Sequence, residues 1–473
     1  MHARPRILAR MPTPPSALER RLGPYDAAAI IVSNVIGGGI LFLSPSIAAS
    51  VPDAAWFLGI WMAGGALAFA GAMAYAELAS VRPKAGGEYQ YLHAAYGPLA
   101  AFLTGWTSFV AGFTGAIASN AAILAFYLGR FIPWASIDAA YFVVPLPWVP
   151  LTVSPQTITA VAAIWLMSWV HLRGVGPGAF VSNVLAALKV GAFLIFIVLG
   201  FSFGIGSPSN LSGEVGPVTL SAWFFALIPI MFTYSGWNAA TYVAEEVRDP
   251  ARNVAKALAI GTIAVTVIYV LLNALYIYVI PVGELAKLKG SVLDVVGDRL
   301  LGTAAGNVMG VVSIVGLLAG ISGNTFAGSR VYYAMARDGL FFDKAAEVHA
   351  RFRTPANAIV AQAVWSTLLV LSGGANALAT YTGFTVVLFA GVAVTALFVL
   401  RWREPNVPRP FSALGYPVAP AIFAITCLLI VLNALWTDLG RPLTSGQPLG
   451  PSAAGLFVIA LGLPLFWWFS KRK

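Results

Sequence analysis

Three groups of residues in this chain could do chemistry inside apolar surroundings. The first is the stretch Ser33–Leu41, SNVIGGGIL, where Gly37, Gly38 and Gly39 stand together within a long apolar run. Each glycine weakens a helix by about 1 kcal/mol relative to alanine, so the triplet marks a place where a helix stops and restarts. Such a break leaves carbonyl oxygens at the end of one half-helix and N–H groups at the start of the next. The carbonyl end attracts an ammonium and the N–H end a carboxylate, so one break can hold both ends of a zwitterion. Close helix packing is the competing explanation, but a triplet preceded by Ser33 and Asn34 exceeds what packing requires. The second group is Phe232–Asn238, FTYSGWN, with Gly236 and polar neighbours in the middle of another apolar run about 200 residues later. An aromatic packing patch would explain it too, yet Trp237 lies too deep for an interfacial belt. The third is Lys189, roughly twelve residues into its own run. A lysine near a helix end can snorkel to the surface; one at that depth is a functional candidate.

The elements that carry these groups follow from composition. Of the 473 residues 59% are hydrophobic and only 10% charged, with mean hydropathy +0.82, against about 25% charged in a soluble domain. The chain therefore reads as an all-α integral membrane protein. Twelve spans are expected, at about 26–49, 54–80, 98–128, 156–172, 177–204, 219–244, 256–281, 303–335, 357–373, 376–401, 416–437 and 452–470. They must be helices, because an unsatisfied backbone group in lipid costs several kcal/mol, and period-2 strands that would build a barrel are absent. If the two glycine breaks are equivalent, spans 1–5 (about 26–204) and 6–10 (about 219–401) form a 5+5 inverted repeat. Helices 1 and 6 are then unwound mid-membrane, and helices 11 and 12 are added. The domain reading is a disordered basic tail at 1–22 and a transporter core at 23–437. An external loop, helix 12 and a short basic tail make up 438–473.

Charge sets the orientation. With both termini cytoplasmic, 22 of the 28 basic residues fall in cytoplasmic segments; Arg130, Lys287, Lys289, Arg299 and Arg441 fall outside and Lys189 within a span. The inverted topology would violate the positive-inside rule. The net charge of +10 thus reports topology in a cell membrane, and scattered loop cations exclude a nucleic-acid partner. The first apolar run is too long, and lacks the cleavage site, for a secretory signal; Met11 is an alternative start. Cys427 is the single cysteine and the loop 129–155 has none, so no disulfide-linked ancillary subunit is expected. His2, His93, His171 and His349 all fall in expected cytoplasmic segments, without metal-ligand spacing and with no candidate nucleophile beside them. No metal, no cofactor and no enzyme chemistry is expected. A monomer or weak oligomer in the lipid bilayer is.

The chain resembles the amino acid–polyamine–organocation transporters, and within them the L-type amino acid transporter branch. The resemblance rests on IGGGI at 36–40, AYAELASVRPKAGGEYQYL at 74–92, RGVGPGA with NVLAALKV at 173–190, and FTYSGWNAATYVAEEVRDPARN at 232–253. SRVYYAMARDG at 329–339, LRWREPNVPRPF at 400–411 and GYPVAP at 415–420 complete it. It spans nearly the whole chain and implies a leucine-transporter-like fold. It also implies that Gly37, Gly38 and Gly39 bind a substrate carboxylate through backbone N–H groups while the Val35 carbonyl faces the ammonium. Many relatives have serine at the middle position; Gly38 here leaves the backbone to do more. Phe232, Thr233 and Ser235 match carbonyls that hold the ammonium, Phe232 the aromatic gate over bound substrate, and Asn238 a polar side chain near the ammonium. Lys189 matches a lysine on helix 5 that replaces a bound sodium ion, with Ser322 on helix 8 as its candidate partner and Asn324 competing. A buried ammonium is also a candidate proton carrier.

Spans 1, 3, 6, 8 and 10 carry no deep aspartate or glutamate, and Glu77, Glu245 and Glu246 lie at cytoplasmic ends. A cationic side chain in a dry pocket without a carboxylate is expensive, so a neutral side chain is expected. The expectation is a sodium-independent secondary transporter of neutral L-amino acids, an exchanger or proton symporter working by alternating access. A cationic amino acid or polyamine carrier is the alternative, and a non-transporting amino acid sensor a weaker one.

Overall fold

Backbone groups in an apolar run have no water to bond to, and this chain satisfies them with helices almost throughout. The computed structural model describes residues 18–145, 150–203, 205–212, 217–289, 291–373, 375–445 and 451–471. Helix starts follow local chemistry. Proline occupies a first turn in Pro24–Val35, Pro98–Thr107, Pro155–Leu172 and Pro250–Val279, where its missing N–H leaves nothing unsatisfied. Asp53 caps Ala54–Val81 by accepting from the Trp56 N–H at 2.8 Å.

Among the described residues eight helices are long and apolar enough to cross a membrane, and Leu220–Thr233, Ala356–Leu371 and Gly455–Ser470 are shorter apolar helices. The chain is a multi-pass membrane protein. Each expected span coincides with helix, with shifted ends. The helix expected to stop at 437 continues in Val418–Ser445. Beyond the expectation, Glu88–Tyr96 and Val292–Leu301 are short connecting helices, and Phe142–Val144 pairs antiparallel with Leu151–Val153.

Two of these runs are interrupted. Pro24–Val35 ends at Ile36 (ψ 90°) and Gly37 (φ −136°, ψ −147°), and the helix resumes at Gly38–Phe42. Leu220–Thr233 contains Pro229 and ends in turns over residues 234–238, before Ala239–Tyr242. Gly236 there has φ +97°, a left-handed backbone that favours glycine. Pro24–Val35 packs against Pro250–Val279, Thr303–Arg337 and Val175–Phe203 together, so the first interruption is surrounded by protein.

Residues 1–17 of the expected disordered tail lie outside the described residues, but residues 18–22 are packed. Leu18 and Leu22 are buried, the N–H groups of Arg21 and Leu22 both donate to the Glu246 carbonyl, and Leu22 forms a parallel bridge with Val247. Two apolar side chains and backbone bonds to residues 246 and 247 hold this segment, which its arginines hid in the sequence. His171 also departs from the expectation. It is buried, with Nε2 2.8 Å from the Ser322 hydroxyl, because Pro155–Leu172 packs on Thr303–Arg337.

Ion pairs close one end of the bundle. Glu246 and Arg330, both fully buried, pair at 2.7 Å, Glu77 takes Arg401 at 2.6 Å and Arg409 at 3.2 Å, and Glu245 takes Arg337 at 3.0 Å. Removing one partner of a buried pair strands the other charge at about 3–5 kcal/mol, whereas an apolar replacement of both is far milder. Arg330→Ala is therefore expected to lower the apparent melting temperature of the purified protein sharply, and Arg330→Met with Glu246→Leu to lower it less. Equal melting temperatures for the wild type and Arg330→Ala would show that this pair does not hold the closed end.

Candidate functional site: a cavity between two helix interruptions

The two interruptions touch. A Cβ on Gly236 would meet the Asn34 Cβ at 2.8 Å and its backbone carbon at 3.2 Å, and one on Gly39 would meet the Thr233 Cα at 3.1 Å. Only glycine permits backbone to approach backbone this closely. Tyr269, from the helix Pro250–Val279, ties the pair together. Its buried hydroxyl lies 2.8 Å from the Val35 carbonyl and 3.2 Å from the Thr233 carbonyl, the terminal carbonyls of the two interrupted helices. Rings of Trp61 and Tyr234, with centroids 5.7 and 5.1 Å away, fix its orientation.

Lys189 serves the same helix end. It is fully buried on the helix Val175–Phe203, and its ammonium donates to the Ile36 carbonyl at 2.7 Å and the Val32 carbonyl at 3.2 Å. The Val32 carbonyl also accepts the Ile36 N–H at 3.1 Å, the Ile36 carbonyl lies past the end of the helix, and the negative end of the helix dipole favours a cation there. The structure does not join Lys189 to Ser322. Ser322 instead bonds to His171 at 2.8 Å and to Ser182 at 3.0 Å, while the Asn324 amide donates to Gly320 at 2.7 Å.

Between the interruptions lies a cavity of about 390 Å³. Val35, Gly37, Gly38, Gly39, Phe232, Thr233, Ser235 and Asn238 all line it; Lys189 and Ser322 stand behind the wall. The Gly38 N–H is taken by the Asn120 Oδ1 at 3.1 Å. Asn120, on the helix Phe113–Leu128, is wedged among glycines: Cβ atoms on Gly37 and Gly320 would meet its amide at 3.0 and 2.8 Å. The Asn238 amide donates to the Tyr242 hydroxyl at 2.9 Å, and the Ser235 N–H donates to the Phe232 carbonyl at 2.9 Å. Ile123, Phe113, Val386 and Phe389 give the wall an apolar face.

Sequence comparison agrees with this architecture. Residues 22–459 match the family model described as amino acid permease. The chain belongs to the amino acid permease family. It is 28% identical to the large neutral amino acids transporter small subunit 2 of Mus musculus, over 97% of this chain and 83% of that one. It is 30% identical to the b(0,+)-type amino acid transporter 1 of Homo sapiens over 88% and 83%, and 28% identical to the Asc-type amino acid transporter 1 of Mus musculus over 97% and 83%. These relatives are amino acid transporters of the L-type and kindred branches, which places this permease in the superfamily that its motifs resemble.

The permease's cavity contains residues that sequence reasoning passed over. Asn120 stood as an isolated polar side chain in span 3, a signal of the same kind as Lys189 but weaker. Tyr269 looked like one more apolar-run aromatic. Glu88 is the consequential omission: it lines the cavity from the short helix Glu88–Tyr96, outside the spans searched for acids. The premise that no carboxyl reaches the pocket is thereby corrected.

Tyr269→Phe keeps the ring packing and removes the donor shared by both terminal carbonyls. Stranding buried acceptors costs about 1–3 kcal/mol, so this variant is expected to melt earlier and to lose roughly tenfold in substrate affinity. Wild-type affinity in the purified variant would deny the hydroxyl its bridging role.

Proposed function

We propose that this chain is a sodium-independent secondary transporter of neutral L-amino acids, working by alternating access as an exchanger or proton symporter. In this reading twelve helices cross the membrane with both termini cytoplasmic. Helices 1–5 and 6–10 form inverted repeats, and helices 1 and 6 are unwound around the substrate. The observation that carries it is the contact of the two interruptions around one cavity, with Lys189 fixed on the carbonyl end of the first.

The residues divide the work by charge. Backbone N–H groups of Gly37, Gly38 and Gly39 take the substrate carboxylate, as helix N-termini take anions. The Asn120 amide oxygen, bonded to the Gly38 N–H, gives way to that carboxylate. Second lone pairs on the Val35, Phe232, Thr233 and Ser235 carbonyls, with the Asn238 side chain beside them, take the ammonium. Phe232 covers the bound molecule. The Lys189 ammonium stands where a coupling cation would otherwise hold the Val32 and Ile36 carbonyls, which is why sodium is dispensable. The apolar wall of Ile123, Phe113, Val386 and Phe389 suits an uncharged side chain.

The deciding experiment is uptake of labelled amino acids into proteoliposomes, with and without internal unlabelled amino acid and with and without a pH gradient. Sodium-independent uptake of neutral amino acids is expected; its complete absence would end this reading. A Cβ on Gly38 would press on the Ile123 Cδ1 at 2.6 Å. Gly38→Leu is accordingly expected to abolish substrate binding while the protein still folds, and wild-type affinity would remove helix 1 from the site. Lys189→Ala removes the ammonium from the Val32 and Ile36 carbonyls and is expected to cut transport at least about tenfold, the equivalent of 1.4 kcal/mol. Unaltered rate and pH dependence would dismiss it from coupling.

A further inference from the structure

Among the described residues the buried and half-buried glutamates other than Glu88 come with arginines. Glu77 has Arg401 and Arg409, Glu245 has Arg337, and Glu246 has Arg330. Glu88 is the exception. Its carboxylate accepts the Tyr75 hydroxyl at 2.7 Å and the Thr104 hydroxyl at 3.4 Å, and Tyr242 stands beside it. Among the described residues no lysine, arginine or histidine side chain bonds to it. The titratable groups that face it are Tyr75 from the helix Ala54–Val81, Tyr242 from beyond the second interruption, and Tyr91 from its own helix.

Glu88 also sits where a ligand can reach it. It lines the same cavity as the two interruptions. Gln156 and Phe126, beside the loop joining spans 3 and 4, mark one end of that cavity, and Glu88, in the segment joining spans 2 and 3, marks the other. A carboxylate has about four acceptor positions, so the Tyr75 and Thr104 hydroxyls leave room for a further donor from the cavity. A carboxylate taken out of water without a counter-charge costs several kcal/mol, and the cavity is the route by which one can arrive. The way there is lined by rings: Phe113 packs edge-on against Tyr242 with centroids 5.1 Å apart, and Trp237 lines the wall beside them. Such surfaces take the methylene stem of a lysine or arginine and attract its charged head.

We infer that Glu88 is a seat for a positively charged substrate side chain, so that the cavity admits cationic amino acids alongside neutral ones. The Asn238 amide donates to the Tyr242 hydroxyl, and Tyr242 stands beside Glu88, so this seat adjoins the place assigned to the substrate ammonium. A dibasic amino acid would then be gripped by backbone at one end and by this carboxylate at the other. The inference rests on the reading of the cavity as an amino acid site.

The test is uptake of labelled arginine, lysine and leucine by wild type and Glu88→Gln in proteoliposomes loaded with unlabelled amino acid. The wild type is expected to take up arginine or lysine, and excess arginine to inhibit its leucine uptake. Glu88→Gln is expected to lower the arginine-to-leucine uptake ratio at least tenfold, and Glu88→Asp, which keeps the charge, to lower it less. An unchanged ratio in Glu88→Gln would overturn the seat. So would a wild type that transports leucine but neither transports cationic amino acids nor is inhibited by them, a result that needs no variant to fold. If proton-driven leucine uptake then collapses in Glu88→Gln, the carboxyl carries a proton instead and the inference again fails. A wild type that transports no amino acid at all would remove the amino acid site itself, an outcome distinct from the others because leucine uptake is lost as well.

Discussion

Everything at the centre of this protein depends on how the carbonyl end of a broken helix is satisfied far from water. A helix that stops at Val35 leaves its last carbonyls without helical donors, and in apolar surroundings each would be costly. Three donors arrive from two other helices. Lys189 supplies an ammonium to Val32 and Ile36, and Tyr269 a hydroxyl to Val35. Because Tyr269 also reaches Thr233, the end of the second broken helix is held by the same atom. The interruptions are thus a joint structure, and the glycine contacts that bring Gly236 onto Asn34 and Gly39 onto Thr233 are the condition for sharing one donor.

That arrangement sets bonds behind the cavity wall apart from one inside it. The Lys189 and Tyr269 bonds face away from the cavity and hold the carbonyl ends in place. The Asn120 amide on Gly38 faces into it and occupies a donor that an anionic oxygen would use. An amide oxygen is a weaker acceptor than a carboxylate, since charge-assisted hydrogen bonds are roughly twice as strong. The occupied N–H is therefore protected from an empty apolar wall yet remains available to a better acceptor. The closed end of the bundle follows the same economy of charge: its carboxylates pair with arginines from other elements, and the segment around Leu22 adds backbone bonds to Glu246.

Much of this was legible in the sequence because the signals were local and strong. A lysine deep in an apolar run, three glycines in succession and a glycine among polar residues at a matching distance each violate what a plain membrane helix wants. Hydropathy placed the helices well because length and apolarity alone determine where a chain can cross. What stayed hidden depends on contacts between distant segments. Tyr269 and Asn120 acquire meaning only when helices about 230 and 80 residues from the first break are folded against it. His171 looked like a loop histidine because it ends its span, and packing alone buried it against Ser322. Leu18 and Leu22 were masked by Arg20 and Arg21 between them, whose charge says nothing about the two apolar side chains on either side.

Glu88 shows why a search by depth in the sequence misses a membrane site. Its helix begins seven residues after Ala54–Val81 ends, so hydropathy assigns it to a connection. The carboxyl nevertheless turns back between Tyr75 and Thr104, each well inside its own helix. Gly86 and Gly87, both at positive φ, let the chain make that return. Gly87 sits so close to Thr241 and Tyr242 that a Cβ would meet their side chains at 2.6–2.8 Å, so the turn is seated on the segment that follows the second interruption. Any movement of that segment must therefore carry the Glu88 turn with it or break its contacts. The turn that carries Glu88 and the segment after the second helix break are thus packed directly on one another.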